Sequence, residues 1–231
     1  RFEGEDGGAP RRFISGNRCE KMTGGGKKAM PNLYEVKRQM IRSFMPGENR
    51  RGRIGIPMGL NMYELFPFWH ALFTKLGFQV IQSPESDHAL YASGQRTIPS
   101  DTACYPAKLM HGHIQTLIEM GVDAIFYPCM TYNFNEKKGQ NHFNCAVIAG
   151  YPEVIEANTL NFGKTKYIND YVGPHNRAAF PKKIKEVLEK HFGKFDTGAI
   201  NSACKKAYAA YDGYMASVTS RGGYVEKSST E

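Results

Sequence analysis

The fold class is decided by the stretch that runs from Arg53-Ile-Gly-Ile-Pro57 through an apolar block at residues 66–76 to Phe78-Gln-Val-Ile81. The two ends are short apolar runs typical of buried strands, and the block between them has the length and composition of a helix. Pro67 suits the first turn of that helix, where its missing N–H leaves no hydrogen bond unmade. Strand, helix and strand in this order predict a β-α-β unit with parallel strands and a right-handed crossover.

The same alternation continues towards the carboxyl terminus. Residues 100–121 show a helix start at Ser100-Asp101 and helical spacing of apolar residues, and Val122-Asp-Ala-Ile-Phe-Tyr127 predicts a buried strand. Ala146-Val-Ile148 is expected to be a short fourth strand. We therefore expect an α/β fold of the Rossmann or flavodoxin-like kind, a mostly parallel sheet flanked by helices. Beyond Pro152 the pattern predicts a helical carboxyl-terminal part.

The first 52 residues form a segment of another kind. Residues 1–30 are rich in glycine and charge, a composition that does not bury enough apolar surface to order itself. Leu33, Val36 and Met40 then recur at helical intervals and predict one short amphipathic helix. We divide the chain into a basic amino-terminal arm with that helix (1–52), an α/β domain that carries the cysteine site (53–175), and carboxyl-terminal helices with a loose tail (176–231).

The net charge of +8 is concentrated in the arm. Residues 1–53 hold 13 basic and 6 acidic side chains, whereas the other 178 residues hold 17 and 16. No recognition helix or aromatic platform accompanies the basic excess, so we expect no nucleic-acid partner. A solvated tail, or a docking strip for an acidic neighbour, is the expected role of the arm.

Composition excludes several other classes. The chain has 231 residues, and no apolar run approaches the roughly 18 residues that a membrane helix needs. Five cysteines are an odd number for a closed set of disulfides, so we expect a reducing, cytoplasmic setting. The chain begins with Arg1 rather than Met, and we expect it to be part of a longer protein.

Three of the cysteines share similar surroundings. Cys104, Cys129 and Cys145 fall within 42 residues, each at a predicted boundary between regular elements. Loops at the carboxyl ends of parallel strands form the usual binding crevice, so this placement favours ligands over packing residues. Cys104 also precedes a helix whose first N–H groups stabilise a thiolate. We therefore expect a metal site. The sequence contains no Cys-x-x-Cys pair, so the pattern does not distinguish zinc from iron.

Cys145 does not fit the predicted topology. If Ala146-Val-Ile148 is a parallel strand, Cys145 precedes it and lies at the opposite edge of the sheet from Cys129. Either that segment is not a sheet strand, or the long loop returns before pairing, or Cys145 is not a ligand.

The chain resembles the accessory domain of large acyl-CoA dehydratase activase-related proteins, long known only as a domain of unknown function. The resemblance is carried by Arg53-Ile-Gly-Ile-Pro57, Asn61-Met-Tyr-Glu64, Pro67-Phe-Trp69, Leu76-Gly-Phe78, Ile98-Pro-Ser100, Cys104-Tyr-Pro-Ala-Lys108, His111-Gly-His113, Phe126-Tyr-Pro-Cys129, Asn141-His-Phe-Asn-Cys145 and Tyr151-Pro-Glu-Val-Ile155. Ser15-Gly-Asn-Arg-Cys19-Glu20 fits the same family. The resemblance is dense from Phe13 to Ile155 and thin afterwards.

That domain is similar in fold to the iron-sulfur subunits of 2-hydroxyacyl-CoA dehydratases. The resemblance implies an oxygen-sensitive iron-sulfur cluster, 4Fe-4S or larger, held by Cys104, Cys129 and Cys145, with Cys19 as a fourth thiolate. Three protein thiolates leave one iron of a 4Fe-4S cluster open to substrate, whereas four close the coordination shell. We expect Cys19 to close or cap the site, which favours low-potential electron transfer in an anaerobic dehydratase system.

The activase proper is a separate ATP-binding domain of actin-like type, and this chain contains no P-loop or Gly-x-Gly-x-x-Gly motif. The expected partners are that ATP-binding domain and dehydratase-like domains of the same or a partner chain, together with a CoA ester. We therefore expect a part of a larger protein that does not hydrolyse ATP by itself. Two alternatives stay open: a non-catalytic interaction domain with zinc or no metal, and a CoA-ester binding module.

A few other residues invite a functional interpretation. His111 and His113 are two apart on a predicted helix, so they cannot both face one ion, and we expect buried, satisfied imidazoles. His142 is a candidate for a hydrogen bond to a cluster sulfur. The turn at residues 57–61 is expected to be a plain strand-to-helix turn rather than an anion site. Cys204 has no motif around it and is expected to be a packing residue.

Tyr105, Tyr127 and Met130 each lie beside one of the three cysteines in the sequence. We expect these side chains to supply the apolar wall of the site.

Overall fold

The computed structural model describes residues 32–137 and 139–230, with side chains up to residue 222. Helices and strands follow one another as α1 Leu33–Arg42, β1 Arg53–Ile56, α2 Leu60–Glu64, α3 Phe66–Lys75, β2 Gln79–Gln82, α4 His88–Gly94, a 3-10 turn Gln95–Thr97, α5 Tyr105–Glu119, β3 Ala124–Phe126, α6 Ala146–Asn158, β4 Lys166–Ile168, α7 Phe180–Phe192 and α8 Thr197–Thr230.

The four strands form one parallel sheet in the order β2-β1-β3-β4. The predicted β-α-β unit is confirmed: β1 pairs with β2 from Arg53 opposite Gln79 to Ile56 opposite Gln82, and α3 joins them with Pro67 in its first turn. The third predicted strand is confirmed as β3, which pairs with β1 on its other side. The α/β fold with a helical carboxyl-terminal part is therefore confirmed.

The fourth predicted strand is wrong. Ala146-Val-Ile148 is the first turn of α6, and the fourth strand is Lys166–Ile168, which pairs with β3. A three-residue apolar run fits a strand and a buried helix equally well, and here the helical spacing continues to Ile155. Strand β4 has only three residues, so its pairing with β3 rather than its own pattern identifies it.

The helices lie on both faces of the sheet. The crossover from β1 to β2 and the crossover from β2 to β3 run in opposite directions along the sheet, so their right-handedness places α3 on one face and α5 on the other. On the first face α3 packs with α7 and α8, and the ring of Phe126 lies 4.8 Å from that of Trp69. On the second face α5 packs with α4 and α6. Because these helices cover the two faces of the sheet, the open sides of the sheet are at the ends of its strands; we call the side at the carboxyl ends of the strands the carboxyl edge.

One apolar core joins all three predicted parts of the chain. Ile41 of α1 and Ile184 of α7 are fully buried in the same cluster as Ile54 of β1. The short amphipathic helix predicted near residue 33 is confirmed as α1, which Asn32 caps by accepting hydrogen bonds from two main-chain N–H groups. Helix α8 continues to Thr230, through residues expected to be a loose tail.

In the part of the chain that the structure describes, no helix is both long enough and apolar enough to cross a membrane.

Candidate metal centre at the carboxyl edge of the sheet

The three cysteines lie at the carboxyl edge of the sheet. A helix that links parallel strands runs against them, so the amino termini of α5 and α6 lie at the carboxyl edge, where Cys129 follows β3. The chain leaves β1 towards β2 on one side and returns to β3 on the other. This edge between β1 and β3 is thus the topological switch point, where open α/β sheets form their binding crevice.

Cys104 and Cys145 occupy equivalent positions. Each is the residue before the first turn of a helix, Cys104 for α5 and Cys145 for α6, with an extended backbone (φ −62° and ψ 149°; φ −65° and ψ 159°). Both side chains are exposed, and neither makes a capping hydrogen bond. The first N–H groups of each helix favour negative charge on the adjacent sulfur.

Cys129 is buried and continues the line of β3. Its main chain donates to Asp170 and accepts from Val172 at 3.2 Å each, so the ladder with the β4 side extends beyond Phe126. Burial, and then the charge of Glu153 on α6, raise the pKa of the Cys129 thiol to about 11. The free thiol is therefore protonated at neutral pH, and a metal that binds it must displace the proton.

The segment between Cys129 and Cys145 folds back on itself. Tyr132 and Phe143 form an antiparallel bridge, and the Asn144 side-chain amide donates to the Met130 carbonyl at 2.9 Å. Cys129 and Cys145 thus stand at the two ends of a closed loop. The sequence conflict over Cys145 is resolved because residues 146–148 are helical and the loop returns to the carboxyl edge.

Pro152 helps to hold this loop against α6. It lies inside α6 and has no N–H to donate to the carbonyl of Ile148, four residues earlier. That carbonyl instead accepts the Met130 N–H at 3.4 Å. Pro152 lies inside an apolar segment of the sequence, and a proline there leaves one helix carbonyl free to accept a hydrogen bond from outside the helix. This contact could have been predicted from that feature.

Tyr127 directly follows β3 and lies two residues before Cys129. Phe126 points to the α3 face, so the next side chain of the strand, Tyr127, points to the α5 and α6 face. Its pKa is raised by burial first, and then by the charges of Cys129, Tyr151, Cys145 and Cys104.

The Tyr127 hydroxyl is buried and has no hydrogen-bond partner among the residues that the structure describes. A buried polar group without a partner costs free energy, so such an atom indicates a place where a ligand belongs. Its importance was missed in the sequence, where Tyr127 was expected to be only part of an apolar wall.

Among the side chains that the structure describes, residues 32–137 and 139–222, no group of three or more His, Cys, Asp or Glu is arranged to hold a single metal ion. A mononuclear zinc site needs all its thiolates about 2.3 Å from the same ion. An iron-sulfur cluster binds each thiolate at a different iron, so its thiolates stand farther apart. Cys104, Cys129 and Cys145 supply thiolate donors, the ligand type that such clusters use. Cys19 lies outside the described residues.

The two histidines of α5 are satisfied, as expected. His111 is bonded to Thr97 Oγ1 at 2.8 Å and to Tyr151 Oη at 3.0 Å, and His113 to Ser83 Oγ at 2.8 Å and Ser86 Oγ at 3.0 Å. Burial lowers the pKa of each to about 4, so both are neutral. They brace α5 rather than bind an ion.

His142 lies in an aromatic group of the loop. Its ring centroid lies 5.3 Å from that of Tyr132 and 6.5 Å from that of His175, with the ring planes tilted by 43° and 47°. Its role as a hydrogen-bond donor to a cluster stays a prediction.

The turn at residues 57–61 is a packed strand-to-helix turn. The Met58 N–H donates to Ser83 Oγ at 2.7 Å, and a Cβ on Gly59 would lie 2.5 Å from Met110 Sδ. The turn therefore offers no free N–H at Met58 and no space at Gly59 for a phosphate. The expectation of a plain turn is supported.

Cys204 lies in α8, 2% exposed, and burial raises the pKa of its thiol to about 11. It belongs to the apolar core, as expected of a packing residue.

Exposed aromatic side chains surround the cysteine edge. Tyr105 follows Cys104 and is 56% exposed, Phe143 precedes Cys145 by two residues and is 61% exposed, and Tyr171 is bridged to Cys129 and is 52% exposed. Of the three residues expected to supply the apolar wall of the site, Tyr127 and Met130 are both 1% exposed, whereas Tyr105 lies at the surface. Its place in the first turn of α5 turns the Tyr105 ring outwards.

Comparison with known proteins gives one family. The family model of the CoA enzyme activase uncharacterised domain matches residues 53–231. This range begins at β1 and includes the carboxyl-terminal helices. Comparisons with curated proteins and with solved structures give no match. The match covers more than half of the chain and includes the whole sheet and its carboxyl edge. The chain therefore belongs to the family of CoA enzyme activase uncharacterised domains.

Proposed function

We propose that this domain holds an iron-sulfur cluster, 4Fe-4S or larger, and transfers low-potential electrons within the 2-hydroxyacyl-CoA dehydratase and activase system. Cys104, Cys129 and Cys145 are the proposed ligands, and Cys19 is the proposed fourth thiolate. The observation that carries the proposal is the placement of the three cysteines at the carboxyl ends of the strands: Cys104 and Cys145 directly precede helices, and Cys129 lies two residues from Tyr127, whose buried hydroxyl has no partner among the described residues. Family membership supports the same system.

The residues at this edge suit a negatively charged group. Helices α5 and α6 each begin directly after a cysteine. The unpaired N–H groups of their first turns stabilise negative charge on the sulfur of that cysteine. Cys129 lies in a dry position, where electrostatic interactions are stronger than in water. An iron-sulfur cluster, when bound, supplies one-electron transfer.

The exposed surface around the site suits a protein partner. Tyr105, Phe143 and Tyr171 form an aromatic rim beside the exposed thiols of Cys104 and Cys145. Exposed apolar side chains that surround a site mark surfaces that another domain covers. We assign this rim to a dehydratase-like domain, with the ATP-binding activase domain as the source of electrons, in a reducing cytoplasm.

The test is anaerobic reconstitution of the full chain with ferrous iron and sulfide. We expect several irons per chain, broad visible charge-transfer absorption, and a paramagnetic signal after reduction. Cys104→Ala, Cys129→Ala and Cys145→Ala should each lose most of the iron, because each removes one ligand.

Cys204→Ala is the matched control, since it removes a buried thiol on the other face of the sheet and should keep the iron. A colourless protein with one zinc would contradict the proposal in favour of an interaction domain. Affinity for a CoA ester without any metal would favour a CoA-ester binding module instead. Equal iron in all four variants would show that these thiols are not the ligands.

A further inference from the structure

The Tyr127 hydroxyl differs from its neighbours in having no protein partner. The Tyr151 hydroxyl is bonded to His111 at 3.0 Å, the Tyr167 hydroxyl donates to the Pro152 carbonyl at 3.0 Å, and the Tyr171 hydroxyl donates to Glu153 at 2.9 Å. All four rings lie at the carboxyl edge or on the α6 side of the sheet. Tyr127 alone among them has no partner in the described part of the chain.

The orientation of Tyr127 is set by the strand. It follows β3 directly, its main-chain N–H donates to Ile168 at 2.9 Å, and its ring lies opposite the face that Phe126 takes. Cys129 is two residues further along the same extended segment, so both side chains point to α6. The hydroxyl is therefore held by backbone pairing and has little freedom to turn towards another partner.

We propose that Tyr127 is a positioning residue that donates its hydroxyl proton in a hydrogen bond to a sulfur of the cluster. The inference rests on the proposed function. A hydrogen bond to a cluster sulfur stabilises the more negative, reduced state and raises the reduction potential. Tyr127 thus sets how easily the site accepts an electron, while the cysteines hold it.

The experiment compares Tyr127→Phe with the parent chain after anaerobic reconstitution. We expect the same iron content and a lower reduction potential, with the ratio of reduced to oxidised cluster at a fixed potential falling about tenfold, which is 59 mV for a one-electron couple. Hyperfine spectroscopy of the reduced state after exchange into deuterated water should show one exchangeable proton fewer. A merely structural role would change neither value.

Tyr214→Phe is the matched control. Tyr214 is also buried, and its hydroxyl also has no partner within residues 32–137 and 139–222, but it lies on α8, away from the thiols. Its removal should leave the potential and the exchangeable protons unchanged. An equal shift in both variants would overturn the inference.

Tyr127→Phe removes an unsatisfied hydroxyl, so the apo protein should fold at least as well as the parent. If the variant nevertheless fails to fold, 3-fluorotyrosine at position 127 keeps the hydroxyl and makes it a stronger donor. The potential should then rise, and an unchanged potential would overturn the inference.

The outcomes separate the two proposals. A parent chain that binds no iron-sulfur cluster ends both of them. A parent and a Tyr127→Phe variant that carry the same cluster with equal potentials overturn the role of Tyr127 and leave the proposed function intact.

Discussion

His113 shows how one buried side chain couples the stability of this protein to pH. Its two ring nitrogens are bonded to Ser83 and Ser86, and Ser83 Oγ also accepts the Met58 N–H. Both ring nitrogens lie against hydroxyl groups in a buried position, and burial disfavours the charged imidazolium, so the native state favours the neutral form.

The pH dependence of stability follows from this. Burial and then the charge of Arg42 lower the pKa of His113 from 6.5 to about 4. Between these values the unfolded chain binds the proton and the native protein does not, so stability is complete above pH 6.5 and declines as pH falls towards 4. One such histidine lowers the free energy of unfolding by about 3 kcal/mol over this pH range. Between pH 7 and pH 4.5 the free energy of unfolding of the parent chain should fall by about 2–3 kcal/mol more than that of His113→Gln. Urea unfolding at both pH values measures the difference.

His88→Gln serves as the control, because His88 is exposed and should leave the pH dependence as it is. Identical pH profiles for His113→Gln and the parent chain would contradict the buried, neutral assignment.

Among the helices, the contact between α4 and α5 is the tightest constraint near the site. A Cβ on Gly94 would lie 2.2 Å from the Gly112 nitrogen, and a Cβ on Gly112 would lie 2.0 Å from the Leu90 carbonyl oxygen. The two backbones touch at these glycines. The contact fixes α5, and with it the position of Cys104 at the helix start.

Gly112→Ala should force α4 away from α5. Because the obstacle is main chain rather than a flexible side chain, we expect a loss of at least about 3 kcal/mol of unfolding free energy, measured by chemical denaturation. Gly213→Ala on α8 is the control: a Cβ there would have no atom within 4 Å, and helix propensity predicts a gain of up to about 1 kcal/mol. Equal stability of both variants would show that α4 is not held against α5 at this glycine.

At the scale of the whole molecule, helix α1 links the amino-terminal part of the chain to the core. Helix α1 already packs on the core: Arg42 donates to the Ser83 carbonyl at 2.7 Å, and Gln82 donates to the Ile41 carbonyl at 3.1 Å. Ser83 follows β2 at the carboxyl edge of the sheet. The carboxyl end of α1 is therefore held at the same end of the sheet as the proposed cluster.

If Cys19 is the fourth thiolate, Cys19→Ser should reduce the bound iron and alter the visible spectrum of the reconstituted full chain, since one iron loses its protein ligand. Ser15→Ala, in the same segment, should have no effect. Unchanged iron content and spectrum in Cys19→Ser would contradict the role of Cys19 and leave the three other ligands in place.

Local patterns in the chain were enough to predict the parallel β1-α3-β2 unit, strand β3 and helix α5. Alternation of strands and helices implies parallel pairing, and parallel pairing places Cys104 and Cys129 at the same edge. The general position of the candidate site could therefore be predicted from the amino-acid sequence.

Tertiary structure decided the rest, because it depends on contacts between residues far apart in the chain. Residues 146–148 became helical and β4 became a strand through pairing and packing that a three-residue pattern does not encode. The unpartnered state of the Tyr127 hydroxyl depends on where α5, α6 and β4 place their own polar atoms. Local sequence sets which elements form, whereas the surroundings of a buried atom exist only once those elements have packed.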